Sequence, residues 1–192
     1  MIRPLLIAMA AVLATLALAG CDEAGEQAAL PPPVELTREA VGHYCNMIVV
    51  DHLGPKAQVH LSDREEPLFF TSVRDLVAFS MLPDEPRNIA ALYVNDMARA
   101  SWDNPEPGTW IEAREALFVI GSSRRGGMGA LETVPFSERA AAETFAARHG
   151  GEVVAFSEIP RDYVLGAPAA PTEGHGHHGS HLSPAPSEGK QQ

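Results

Sequence analysis

Cysteine is nearly absent from this chain, whose 192 residues hold two, Cys21 and Cys45. One of them is taken up at the amino terminus, so no disulfide staples the fold and a packed core must hold it together. Basic side chains are scarce as well, 14 Lys and Arg against 25 Asp and Glu, for a formal net charge of −11. That balance repels phosphate backbones and argues against a nucleic-acid partner. Long apolar runs are missing apart from residues 5–18, and this run falls short of the ~20 residues that a spanning helix needs.

What is present begins with that run. Arg3 precedes it and Leu18-Ala19-Gly20-Cys21 closes it, the pattern of a secretory signal that ends in a lipobox. Residues 1–20 are read as the signal peptide and Cys21 as the lipidated first residue of the mature chain, since several acyl chains hold a protein on a bilayer where one does not. An uncleaved anchor helix would equally place the remainder outside the cytoplasm. Asp22 resembles the signal that retains lipoproteins at the inner membrane. The expected location is therefore periplasmic and lipid-anchored, with the inner membrane favoured.

Composition divides the rest. Residues 21–33, with Pro31-Pro32-Pro33, read as an anchor and tether. Residues 166–192 are rich in Pro, Gly, Ser and His, with little to bury, and are expected to be a disordered tail. Between them one pattern runs twice. In the first pass, residues 57–61 and 67–70 are extended, Ser72 and Asp75 form a capping-box-like start, 73–80 has helical apolar spacing and 91–94 is a strand. In the second, 116–120 and 130–134 are extended, Ser137 caps an alanine-rich helix that Gly150-Gly151 stops, and 153–156 is the returning strand. The expected fold is α+β, two tandem β-β-α-β repeats over residues 34–98 and 99–165.

The candidate chemistry centres on His43-Tyr44-Cys45-Asn46-Met47. If residues 43–49 are extended, a period of two places His43, Cys45 and Met47 on one side. A thiolate and a thioether together suit a soft ion, and among biological metals they select Cu(I). The bland alternative is that Cys45 and Met47 fill the core. Met128 lies in Gly126-Gly127-Met128-Gly129, where glycines let a loop approach closely and offer a sulfur to a site built elsewhere. An ordinary turn with an exposed methionine is the competing reading. His52 and His60 carry no signature beyond their type. His175, His177, His178 and His181 fall close together in the tail, a composition that binds Cu(II), Ni(II) or Zn(II), or simply solubilises. Arg124 and Arg125 beside the Met128 loop are either docking charges or solvated ones.

Cys45-Asn46-Met47, then Asp51-His52-Leu53-Gly54-Pro55-Lys56-Ala57-Gln58, with Gly127-Met128-Gly129-Ala130 and Pro135-Phe136, resembles the NosL family of nitrous oxide reductase accessory lipoproteins. The resemblance spans residues 42–159 and the lipobox. It implies a pair of β-β-α-β repeats related to part of organomercurial lyase, and a periplasmic Cu(I) metallochaperone. The implied partners are nitrous oxide reductase and a membrane ABC-transporter complex that matures its copper centres. The family's Cys-x-Met sulfurs correspond to Cys45 and Met47, and the site is extended to Met128 and His52. Asn46 stands where many relatives are expected to carry glycine, and the histidine tail is not transferable from the family. Two other classes stay open, a thiol-dependent enzyme related to the lyase and a metal-free, membrane-tethered assembly factor.

Overall fold

The computed structural model describes residues 29–166. The signal run, Cys21 and the four tail histidines lie outside the described residues. Along the chain come β1 (Ala57–Leu61), β2 (Leu68–Phe70), α1 (Val73–Met81), β3 (Ile89–Asn95), β4 (Trp110–Glu112), β5 (Leu117–Ile120), β6 (Val134–Phe136), α2 (Arg139–His149), β7 (Glu152–Ala155) and α3 (Arg161–Leu165), with 3-10 turns at Val49–Asp51 and Phe156–Glu158. The strands make two antiparallel sheets, ordered β2-β1-β3-β4 and β6-β5-β7. In each, the first strand of a β-β-α-β unit lies between the second and the third. The α+β class and the repeat are thus as the sequence reads.

The units share one interior. Val73, Leu76 and Val77 of α1 fall at helical spacing and are fully buried with Val59, Phe70, Leu92 and Val94 of the first sheet. Phe118 and Ile120 of β5 join that core, whereas Val119, between them, packs with Val134, Phe136 and Ala142 in a second cluster. Period-two alternation in a strand buried on both faces therefore binds the second sheet to the first on one side and to α2 on the other.

Four expectations are corrected. Residues 110–112 form a fourth strand on β3, so the first sheet recruits a strand from the span read as the second repeat. Residues 130–133 are not a strand; Leu131 makes one isolated bridge to Arg125 and β6 starts at Val134. Pro135 is accommodated because β6 is an edge strand. Ser72 precedes α1 but makes no capping bond of its own; its Oγ donates to Glu132 Oε1 at 3.2 Å. Ser137 does not cap α2 either, because its Oγ and N–H donate to the buried Asp96 carboxylate at 2.6 and 3.0 Å. Burial acts to raise Asp96, but these bonds and those from Ala98 and Arg99 prevail and hold it below the usual carboxylate range.

Candidate metal centre

The Cys-x-Met segment is a tight turn, not the extended strand its spacing suggested. Val41 and Ile48 pair as an antiparallel bridge, Gly42 N–H donates to Met47 O at 2.9 Å, and Asn46 N–H donates to Gly42 O at 2.8 Å. Closing so short a turn takes one residue with a left-handed backbone. Asn46 supplies it at φ 54°, the one non-glycine among the described residues to do so. Asparagine tolerates this region better than other side-chain-bearing residues, and glycine would serve equally.

The turn lifts its donors to the surface. Cys45 is half-buried, its Sγ 3.7 Å from Thr71 Oγ1. A Cβ on Gly42 would lie 2.6 Å from that sulfur, so the thiol is seated on the bare Cα of Gly42. Met47 is 39% exposed, which removes the core-filler reading for it. The His43 ring packs edge-on against Phe70 and Phe79 at 5.6 and 5.7 Å between centroids.

Beyond Ile48 the chain passes through the 3-10 turn to His52, and there the second methionine loop docks. The Gly126–Gly129 turn closes with Gly129 N–H donating to Gly126 O at 2.8 Å. A Cβ on Gly127 would meet His52 Cβ at 2.5 Å and Leu53 O at 3.0 Å, so backbone lies directly on backbone. His52 Nδ1 is 3.4 Å from Gly127 O. Met128, at the tip, is 48% exposed. The structure thus sets the Met128 loop against His52 and Leu53, just past the Cys45–Met47 turn in sequence.

Two buried charged groups back this contact. Glu132, fully buried, accepts Arg74 N–H and Thr133 N–H, each at 2.9 Å, and the Ser72 hydroxyl. Its Oε2 has no partner and faces Gly126, where a Cβ would come within 2.3 Å. Burial pushes this carboxyl up to about 7, against the lowering effect of its hydrogen bonds. Lys56 is 1% exposed, with Nζ donating to Gly54 O. Burial pushes the ammonium down to about 8, opposed by the charge of Glu132. That bond is made to the left-handed turn at Gly54, φ 81°, where a Cβ would lie 3.4 Å from the Trp102 indole.

The NosL sequence family matches residues 33–164, which is nearly all of the described fold. The chain belongs to the NosL family. A copper-binding lipoprotein NosL from Achromobacter cycloclastes is 45% identical over 161 residues, covering 83% of this chain and 81% of that protein. Another of that name from Stutzerimonas stutzeri is 33% identical over 180 residues, covering 89% and 93%. The crystal structure of the copper chaperone NosL from Shewanella denitrificans superposes with a TM-score of 0.65 at 33% identity, over 68% of this chain and 98% of that one.

Within this NosL chain the Gly-Pro-Lys-Ala-Gln motif is architectural. Lys56 N–H donates to Asn95 Oδ1 at 2.8 Å, and Gln58 bonds both backbone groups of Val34, at 2.8 and 2.9 Å, pinning the end of the tether to β1. His60 is buried against Gln58 Oε1 at 2.8 Å, and burial lowers its affinity for a proton. Arg124 lies 4.0 Å over the Trp102 ring, so its charge is held by packing and not presented freely. Glu132 went unnoticed in sequence. Its one signal was a carboxylate set inside the otherwise apolar and β-branched stretch 131–136.

Proposed function

We propose that this NosL chain is a membrane-anchored, periplasmic Cu(I) metallochaperone that supplies copper for maturation of the copper centres of nitrous oxide reductase. The observation that carries the reading is the display of Met47 and Met128, both substantially exposed, on two loops joined through residues 49–54, with the half-buried Cys45 thiol in the first. Thioethers so exposed gain little from packing, and they bind a soft ion without deprotonation. Cys45 loses its proton on binding, and copper drives that loss.

The same display of donors would suit delivery. Two or three soft donors leave Cu(I) coordinatively unsaturated, so a recipient's ligand attacks before the resident ones depart. Exposure of the two methionines gives that ligand access. An acylated Cys21 would confine the protein to the membrane and raise its effective concentration near a membrane-bound maturation complex. A thiol enzyme would need a base and an orienting group at Cys45, and among the described residues the hydrogen-bonding neighbour of its sulfur is the Thr71 hydroxyl.

Anaerobic titration of the mature chain with Cu(I) against a chromophoric chelator tests the reading, alongside Cys45→Ser and Met47→Leu. One Cu(I) per chain, lost in the first variant and weakened in the second, supports it; binding indifferent to both overturns it. Transfer from the loaded chain to copper-free nitrous oxide reductase, followed by the enzyme's visible absorption, then tests the recipient.

A further inference from the structure

Glu132 is fully buried, yet only one of its two carboxyl oxygens is bonded. Oε1 accepts the Arg74 and Thr133 N–H groups at 2.9 Å and the Ser72 hydroxyl at 3.2 Å. Oε2 accepts nothing. It is turned to Gly126, where a Cβ would clash with it, and the Gly126 N–H already donates to Ala130 O at 3.0 Å. A buried acceptor left unpaired lowers stability, so its presence calls for a role beyond packing.

Two sulfur-bearing segments meet at this carboxyl. On the Oε1 side, Ser72 follows Thr71, and Cys45 Sγ lies 3.7 Å from Thr71 Oγ1. On the Oε2 side, Gly126 opens the turn that Gly129 N–H closes at 2.8 Å and that carries Met128. The two sides also touch directly, since a Cβ on Gly126 would lie 3.6 Å from Ser72 Oγ. Thr71 and Ser72 are consecutive, with Cα atoms about 3.8 Å apart. The seat of the thiol and the footing of the Met128 loop are therefore one residue step from each other. Both residues of that step are buried, and the bond from Arg74 N–H to Glu132 holds the start of α1 that continues from them.

We propose that Glu132 is a positioning residue for the copper-binding sulfurs, one carboxyl that holds the Thr71-Ser72 step behind Cys45 and the Gly126 backbone beneath Met128 in fixed relation. This rests on the copper reading above, with Met128 a donor to the same ion as Cys45 and Met47. Glu132 touches no sulfur and makes no bond to the metal; it acts by holding donors on separate loops at a set spacing before the ion arrives. An apolar side chain would fill the same space but leave Arg74 N–H and the Ser72 hydroxyl without their acceptor.

The test uses the full mature chain with Glu132→Ala, Glu132→Gln and Gly126→Ala, each titrated anaerobically with Cu(I) and examined by copper X-ray absorption. Gly126 is not among the left-handed glycines, so its alanine variant acts through the contact and not through backbone strain. Glu132→Ala is expected to bind one Cu(I) per chain about tenfold or more weakly and with one sulfur scatterer fewer. Glu132→Gln keeps the acceptor at Oε1 and is expected to return to within about threefold of the parent chain. Gly126→Ala displaces the Met128 loop and loses the same scatterer. A residue that serves stability alone would lower the melting temperature and leave the copper coordination of the folded chain unchanged. That result in Glu132→Ala, or in Gly126→Ala where Glu132→Ala does not fold, overturns the proposal. So does a Glu132→Gln chain as weak as Glu132→Ala, because charge and not held geometry would then set the affinity. Met128→Leu with the parent's sulfur count overturns it as well, since the loop would carry no donor. Failure of the copper reading itself is distinguishable, because the parent chain would then bind no Cu(I) or bind it indifferently to Cys45→Ser.

Discussion

Glu132 Oε1 accepts the backbone N–H of Arg74 at 2.9 Å, so a carboxyl from the second unit caps the first helix of the other. Burial raises that carboxyl from 4.5 to about 7. Between those values the native state binds the proton more tightly than the unfolded chain. Stability should therefore be greatest below pH 4.5 with respect to this group, fall as pH rises, and level off above 7, by about 3 kcal/mol. Lys56, lowered from 10.5 to about 8, acts oppositely: its burial penalty is present in full below 8 and is relieved as pH rises to 10.5. Urea melts across pH should show the acidic limb flattened in Glu132→Gln and the alkaline limb flattened in Lys56→Met.

Gly127 and Gly129 sit in one loop but should answer differently to alanine. A Cβ at Gly127 collides with His52 and with the Leu53 carbonyl, so the loop must lift from them. At Gly129 nothing lies within 4 Å and the cost is the backbone strain of φ 78° alone, about 1–2 kcal/mol. Gly127→Ala is expected to weaken Cu(I) binding as well as stability, and Gly129→Ala mainly stability. Equal copper affinity in Gly127→Ala and the parent chain would show that docking of the loop does not serve the site.

The seat of the thiol is testable without metal. Gly42→Ala places a methyl 2.6 Å from Cys45 Sγ, which must then swing outward and lose its contact with Thr71. A disulfide reagent should modify Cys45 several-fold faster in this variant than in the parent chain. An unchanged rate would mean that the thiol already spends its time away from Gly42.

Much of this was legible in sequence because it depends on local patterns. The apolar spacing of residues 73–80 announced α1, and the extended reading of residues 116–120 corresponds to β5. The turn at Cys45 was not legible, because period-two spacing of His43, Cys45 and Met47 fits a strand equally well. Only the bridge from Val41 to Ile48, with Asn46 in the left-handed region, separates the two. Both helix starts were misread for a related reason. Ser72 and Ser137 carry the right side chain for a cap, but buried carboxylates distant in sequence, Glu132 just before β6 and Asp96 just after β3, compete for their hydroxyls. Such long-range partners leave no trace in local spacing.

His52 can serve the copper in two ways, and the loop geometry predicts which. Its Nδ1 faces Gly127 O and its Cβ lies where Gly127 allows no side chain, so it is built to hold the loop that carries Met128. If His52 acts through Met128, the two substitutions cannot add: His52→Ala and Met128→Leu should each weaken Cu(I) binding, the latter by about tenfold, and the double variant should be no weaker than Met128→Leu alone. Residues coupled through one element show this non-additivity, whereas independent ligands do not. Affinities of the four chains, taken with the same chelator, decide it. Additive losses would make the free Nε2 of His52 a ligand in its own right and Met128 an independent one.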